Sequence, residues 1–106
     1  MGVGETAATA LALVVHELAI NSLKYGALSV ESGTLDVSCD SSGQELIVVW
    51  TERGGPPVTA HTGRSGYGSR LVAQSMSDQL GGSIIRNWDK EGVIITLRMN
   101  RDMLVR

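Results

Sequence analysis

Three polar side chains with different chemistry recur along one predicted helix. Glu17, Asn21 and Lys24 stand at positions i, i+4 and i+7 of a segment whose apolar residues follow helical spacing. At about 100° of rotation per residue, the three fall within an arc of roughly 60°. An acid, an amide and an amine arranged in this way can orient water, ligate a hard cation through oxygen and neutralise a phosphate. The spacing therefore favours a site for a Mg²⁺-nucleotide.

The alternative is a solvated helix face, on which Glu17 and Lys24 are simply polar. Asn21 argues against it, because an asparagine amide competes for backbone hydrogen bonds and is unfavourable within a helix. A ligand explains Asn21 better than solvent does, but spacing alone leaves both interpretations open. His16 lies about 100° from Glu17 around the helix, beside Ile20, which predicts a partly buried, hydrogen-bonded histidine rather than a phosphoacceptor or a metal ligand.

A second candidate group lies where a predicted strand ends. Glu52 follows Trp50-Thr51 and precedes Arg53-Gly54-Gly55, so its carboxylate stands where a strand gives way to a tight turn. A carboxylate accepts hydrogen bonds and can receive one from the amino group of adenine, while Gly54 would let the ring lie against the backbone. A surface glutamate in a turn is the alternative interpretation.

A glycine-rich segment, Gly66-Tyr67-Gly68-Ser69-Arg70, leads directly into a second predicted helix. The free backbone N–H groups and the positive dipole end of such a helix can hold phosphate, and Arg70 could add charge. Many helices simply begin after a flexible turn, so this motif alone is weak. The sequence has no Gly-Lys-Ser/Thr P-loop, and it lacks the strand and third glycine of a dinucleotide-binding fingerprint.

The elements that must position these residues alternate helices with hairpins. We predict a helix from about Glu5 to Tyr25, ended by Gly26, with Leu11, Val15, Leu18 and Ser22/Leu23 toward the core. Strands follow at 34–40 and 45–51, then a loop at 53–68, a helix at 69–80 and strands at 83–88 and 92–99. This order predicts an α+β two-layer sandwich, with a mostly antiparallel sheet and the helices on one face.

Length and composition narrow the classes of protein. The 106 residues suit one compact domain, and nine basic against 11 acidic residues give a net charge of −2, which disfavours nucleic acid as a partner. Cys39 lies in an alternating apolar pattern and is predicted to be a small core residue, suited to a reducing cytoplasm. No apolar run approaches the roughly 20 residues of a membrane span, so we expect no direct membrane contact by this domain.

The motifs in combination resemble those of a known family. His16-Glu17-Leu18-Ala19, followed by Asn21 and Lys24-Tyr25-Gly26, is similar to the N box of the HWE family of bacterial histidine kinases, and Trp50-Thr51-Glu52 matches its Trp-x-Glu motif. The resemblance runs from Leu11 to Met99 and implies the catalytic domain of these kinases, which have the Bergerat ATPase fold. Pro56 stands where the generic Bergerat glycine box has its second glycine, although this looks normal for HWE sequences.

The resemblance implies a role for individual residues. Asn21 would ligate Mg²⁺, Glu17 would act in catalysis by orienting a metal-bound water or polarising the reacting group, and Lys24 would contact phosphate. Glu52 and Gly54 match the adenine-reading glycine box, and Gly66 and Gly68 match the second one. The implied ATP-binding set is Asn21, Lys24, Tyr25, Glu52, Gly54, Gly66, Gly68, Ser69, Arg70 and Thr96.

The resemblance implies that this chain is the ATP-binding part of a kinase and that another domain carries the phosphate acceptor. The domain would bind Mg²⁺-ATP and donate the γ-phosphate to a histidine on a separate dimerisation domain of the same parent protein, in the bacterial cytoplasm. A response regulator would act downstream. Two alternatives remain open, namely a nucleotide-dependent interaction module without phosphotransfer and a fragment of an ATP-hydrolysing clamp like those of chaperones or topoisomerases.

Overall fold

The protein is an α+β sandwich of one antiparallel sheet and the helices that cover one of its faces. A computed structural model describes residues 4–55 and 67–105. The elements in chain order are α1 (Glu5–Lys24), a 3₁₀ turn (Ala27–Ser29), β1 (Thr34–Ser42), β2 (Glu45–Arg53), α2 (Tyr67–Asp78), β3 (Ser83–Asp89), β4 (Gly92–Asn100) and α3 (Arg101–Leu104). The predicted fold class is confirmed, and every predicted helix and strand is present within a few residues of its expected bounds.

The sheet has the strand order β1-β2-β4-β3, with each neighbouring pair antiparallel. Successive side chains of a strand point to opposite faces, so alternate residues of β4 are buried against the helices. These are Val93, Ile95, Leu97 and Met99. In β2, Trp50 and Glu52 share that buried face.

The side of α1 that faces the sheet is not the side that the sequence predicted, because the helix is rotated about its own axis. Leu18 and Ser22 are buried and Leu11 packs partly against the core, whereas Val15 is 48% exposed and Leu23 is 55% exposed. The prediction was wrong for Val15 and Leu23, because helical spacing fixes the width of an apolar stripe but not which part a neighbouring element covers. The buried residues of α1 are Ala7, Ala10, Val14, Leu18 and Ser22.

Two further predictions of burial were wrong. His16 is exposed on the outer side of α1 and is not a partly buried residue. Cys39 is exposed as well, because β1 is an edge strand and only its Leu35 packs against the core. Alternation in the sequence identified the strand, but it could not show that the helices leave most of β1 uncovered.

The length and composition of α1 bear on the expectation that no apolar run approaches the length of a membrane span. The helix has 20 residues, and an 18-residue window within it has a mean hydropathy of 1.4, enough by length and composition to cross a bilayer. In the fold, however, α1 lays its buried face on the sheet, which is the position of a core helix.

Helix α2 packs beside α1 and against β3 and β4. It begins at Tyr67 rather than at Ser69, so Gly68 lies inside the first turn and not before it.

Helix α3 was not predicted, because four residues carry too little periodicity to indicate a helix. The side chain of Asn100 caps α3 by accepting a hydrogen bond from the backbone N–H of Asp102 at 2.8 Å. The N–H of Gly4 donates to the carbonyl of Leu104 at 2.8 Å, which joins the two ends of the described fold.

Two leucines of α1 provide a matched test of this packing. Leu18 is 1% exposed and Leu23 is 55% exposed, so the same truncation has different consequences at the two sites. We expect Leu18→Ala to lower the free energy of unfolding by about 2–5 kcal/mol through lost burial and a residual cavity. We expect Leu23→Ala to change it by less than about 1 kcal/mol. Urea denaturation followed by circular dichroism measures both, and equal losses would contradict the described orientation of α1.

Candidate functional site

The polar stripe of α1 borders the buried face of the helix. Glu17 and Asn21 are half-buried and Lys24 is exposed. Because the buried face is turned from its predicted position, the stripe lies only about 70° from the centre of that face, instead of the roughly 120° that the sequence predicted. The three side chains therefore stand at the edge of the core, where one side of a bound molecule could be shielded from water.

Glu52 is a buried carboxylate rather than a surface glutamate in a turn. The residue is 3% exposed, and both of its carboxylate oxygens accept hydrogen bonds from within the protein. The backbone N–H of Ala27 donates to Oε1 at 3.0 Å, and the indole Nε1–H of Trp50 donates to Oε2 at 2.7 Å. A buried charge requires such partners, and hydrogen bonds to a carboxylate are the stronger ones.

The contact with Ala27 joins the end of β2 to the 3₁₀ turn that follows α1. Gly26 makes this approach possible, because a Cβ atom at that position would collide with Oε1 of Glu52. Backbone N–H groups of Tyr25 and Gly26 donate to the carbonyl of Asn21 at 2.8 and 3.2 Å. The structure therefore brings Glu52 to the same helix end that carries Asn21 and Lys24, as a common site would require.

Hydroxyl groups fix the turn that follows α1. Ser22 is fully buried, and its Oγ accepts a hydrogen bond from the N–H of Leu28 at 3.3 Å. The Oγ of Ser29 donates to the carbonyl of Gly26 at 2.6 Å. Since Ala27 lies between these contacts, its N–H is held in the direction of Glu52.

The two glycines after Glu52 pack against the same region. Gly54 has φ of +73°, which favours glycine, and a Cβ there would lie 2.6 Å from the carbonyl oxygen of Ser32. A Cβ at Gly55 would lie 2.9 Å from Ala27. Gly54 is thus required by its backbone conformation and by close chain packing, whether or not a ring lies against it.

Thr96 does not lie beside Glu52. It pairs with Val49 of β2 and Ile85 of β3, on the face of the sheet opposite to the helices. The residue in register with Glu52 is Val93, which is buried on the helix side. The resemblance implied that Thr96 of this strand approaches adenine, but the twofold alternation of side chains places Thr96 on the face opposite to Glu52.

The remaining predicted nucleotide ligands are only partly described. Tyr25 is exposed and caps the C-terminal end of α1, and Arg70 is exposed near the start of α2. The backbone of Gly68 and Ser69 lies in the first turn of α2. Gly66 falls outside the described residues, as does most of the loop predicted for 53–68, so the phosphate site at the start of α2 stays a prediction.

Three groups at this site were not identified as participants from the sequence. They are the indole N–H of Trp50, the backbone N–H of Ala27 and the hydroxyl of Ser22. The sequence did indicate a possible contact between Trp50 and Glu52, because residues two apart on a strand share a face and an indole is a hydrogen-bond donor. Nothing in the sequence indicated the contact of Ala27, since any residue type other than proline supplies a backbone N–H.

Comparison with known proteins identifies relatives among bacterial kinases. The chain is 39% identical over 92 residues to blue-light-activated histidine kinase 1 of Erythrobacter litoralis, a match that covers 85% of this chain and 25% of that protein. It is 35% identical over 91 residues to the blue-light-activated histidine kinase of Rhizobium johnstonii, covering 84% and 26% of the two chains. The chain thus spans about a quarter of these relatives. No family model matches the sequence.

Solved structures share the fold. The histidine kinase domain of the EL346 blue-light-activated histidine kinase from Erythrobacter litoralis superposes with a TM-score of 0.76 at 21% identity, covering 94% of this chain and 48% of that one. The histidine kinase AdeS of Acinetobacter baumannii superposes with a TM-score of 0.70 at 20% identity, covering 89% and 47%. At these identities the likeness establishes the architecture.

Proposed function

Because the chain belongs to the catalytic domains of histidine kinases and carries the HWE-type motifs, we propose that it binds Mg²⁺-ATP and presents the γ-phosphate to a histidine on a separate dimerisation domain. One observation supports this proposal above the others. The anchored carboxylate of Glu52 lies at the end of the helix whose edge carries Glu17, Asn21 and Lys24. An acceptor for the base and groups for the phosphates would then lie near the same end of α1.

The residues fit a hydrated Mg²⁺ bound mainly through phosphate and water. Mg²⁺ prefers oxygen ligands and usually takes only one or two from the protein. The half-buried Asn21 would supply an amide oxygen, and Glu17, one turn earlier on the same stripe, would hold a metal-bound water. When bound, the ion would neutralise charge on the triphosphate.

Position and charge would accomplish most of the catalysis. Lys24 would attract the triphosphate from the exposed end of the stripe, and Arg70 would add a second positive charge at the start of α2. Glu17 would orient the reacting group by accepting a hydrogen bond. Phosphoryl transfer demands alignment and electrostatic stabilisation more than covalent chemistry, which suits a domain whose acceptor comes from elsewhere.

The acceptor histidine would belong to the same parent protein. The kinases that this chain resembles are about four times as long as the matched segment, which leaves ample length for a dimerisation domain. His16 is exposed on the outer side of α1, and His61 lies outside the described residues. The sequence around neither histidine matches a recognisable phosphoacceptor motif. We place the parent kinase in the bacterial cytoplasm, with a response regulator downstream.

Binding and transfer can be tested separately. We expect calorimetry to detect Mg²⁺-dependent ATP binding by the 106-residue chain, and we expect little label on the chain alone after incubation with γ-labelled ATP. Addition of the parent's dimerisation domain should yield a phosphohistidine on that domain. Failure to bind ATP would refute the proposal. Efficient labelling of the isolated chain that is abolished by His16→Gln or His61→Gln would contradict the proposal that the acceptor histidine lies on a separate domain.

A further inference from the structure

We propose that Trp50 is a positioning residue that holds the Glu52 carboxylate as a fixed hydrogen-bond acceptor and thereby sets the preference of the site for a 6-aminopurine. The inference rests on the proposed function, since it assumes that Glu52 faces the base of a bound nucleotide. It assigns the tryptophan of the Trp-x-Glu motif a hydrogen-bonding role. Trp50 is 6% exposed, so its indole N–H is shielded from competing water.

The donors around Glu52 determine what else the carboxylate can bind. Indole and backbone N–H groups donate and do not accept, so Trp50 and Ala27 both require an acceptor at Glu52. An ionised carboxylate offers about four acceptor positions, of which these contacts fill two. The remaining positions can only accept. A purine with an amino group at C6 can donate to them from that position, whereas a purine with a carbonyl at C6 presents an acceptor at the same position.

The two donors also restrict the orientation of the carboxylate. Trp50 holds Oε2 at 2.7 Å and Ala27 holds Oε1 at 3.0 Å, so rotation of the group breaks at least one of two buried hydrogen bonds. Gly26 packs against Oε1, and Ser22 lies beside Gly26. Loss of the indole donor would leave Oε2 buried without this partner, and the carboxylate would turn to recover one. A carboxylate in this rotated position would discriminate less between purines with an amino group and purines with a carbonyl group at C6.

The competing explanation is that Trp50 merely fills space in the core. Trp50 belongs to the buried cluster that includes Leu18 and Val93. A packing role predicts that substitutions of Trp50 change stability and weaken all nucleotides alike. A positioning role predicts a specific change in the ratio of affinities for ATP and ITP. Their bases differ in an amino against a carbonyl group at C6, and in N1, which accepts in adenine and carries a proton in hypoxanthine.

The test compares these two nucleotides on the full 106-residue chain in the presence of Mg²⁺. We expect the unsubstituted chain to prefer ATP over ITP by about tenfold or more, the usual value of a hydrogen bond to a charged group. We expect Trp50→Phe to reduce this ratio at least threefold. The matched control is Trp88→Phe, which changes the other tryptophan, a half-buried residue of β3, and should leave the ratio unchanged.

A sulfur isostere of tryptophan separates hydrogen bonding from packing if Trp50→Phe does not fold. In the Trp88→Phe chain, Trp50 is the remaining tryptophan, and biosynthetic replacement by benzothienylalanine substitutes sulfur for the indole N–H with little change in shape. We expect this protein to fold and to lose the preference for ATP. An unchanged ratio in this protein would overturn the inference and leave the proposed function intact.

The unsubstituted chain distinguishes the remaining outcomes. Equal affinities for ATP and ITP would overturn the role given to Trp50, because the site would then not read the C6 group, while Mg²⁺-ATP binding itself would still support the proposed function. Binding of neither nucleotide would overturn the proposed function and this inference with it.

Discussion

Replacement of Asn21 by alanine is expected to weaken binding of Mg²⁺-ATP by at least about tenfold, because it removes the proposed protein ligand of the ion and each factor of ten corresponds to about 1.4 kcal/mol. The fold should survive the change. Only the backbone carbonyl of Asn21 accepts the described hydrogen bonds from Tyr25 and Gly26, and alanine retains it while being the better helix former. Calorimetric titration with ATP at saturating Mg²⁺ measures the effect.

Two controls make this result specific to the ion. In excess EDTA the Asn21→Ala protein and the unsubstituted chain should bind ATP equally weakly, because the ion that distinguishes them is gone. Gln74→Ala removes an exposed amide from α2 and should leave the affinity for Mg²⁺-ATP unchanged. An Asn21→Ala protein with undiminished Mg²⁺-ATP affinity would rule out Asn21 as the metal ligand.

Replacement of Glu17 by glutamine is expected to slow transfer to the acceptor histidine by about 10²- to 10⁴-fold, the usual contribution of a positioned acid or base. Affinity for Mg²⁺-ATP should change by less than about threefold, because the amide keeps the shape and half-buried position of the carboxylate. The measurement is single-turnover phosphorylation of the parent's dimerisation domain from saturating Mg²⁺-ATP, combined with calorimetric binding.

The matched control for Glu17 is Glu5→Gln, which neutralises an exposed carboxylate in the first turn of the same helix. It should leave both binding and transfer unchanged. A Glu17→Gln protein that transfers phosphate at the original rate would show that Glu17 is only a polar residue at the edge of the core. Equal losses of binding and transfer would assign it to ATP binding rather than to the transfer step.

Local sequence patterns predicted which segments form helices and strands. The order of the strands and the burial of individual residues were not predicted, because they depend on packing between segments that are distant in the sequence. The turn at Gly26 and the two hairpins follow from periodicity and glycine placement, and the structure contains them. The strand order, in which β4 inserts between β2 and β3, depends on pairing across the chain. The exposure of Val15 and Cys39 has the same origin, because it depends on which helices cover which strands.

The site shows the same division between local and long-range information. The polar stripe was visible as helical spacing, and Glu52 as an acid at a strand end. Its burial was not visible, because one donor to its carboxylate, Ala27, lies 25 residues away in the sequence. Thr96 was assigned by its strand without the register that places Val93 beside Glu52. The adenine contact inferred for Glu52 therefore stays a prediction, and the described structure gives Glu52 neighbours that the sequence did not indicate.

The hydrogen bond between Gly4 and Leu104 has a consequence for how the domain is carried within a longer protein. Because the two ends of the described fold meet at 2.8 Å, polypeptide attached at either end leaves from the same place on the surface. A domain with adjacent ends is attached to the rest of a longer protein at one position, and we expect rotation there to move the proposed ATP site relative to the proposed acceptor histidine without rearrangement of the sheet. The same adjacency makes the chain suitable for circular permutation, with new ends at the exposed turn of Gly43 and Gln44.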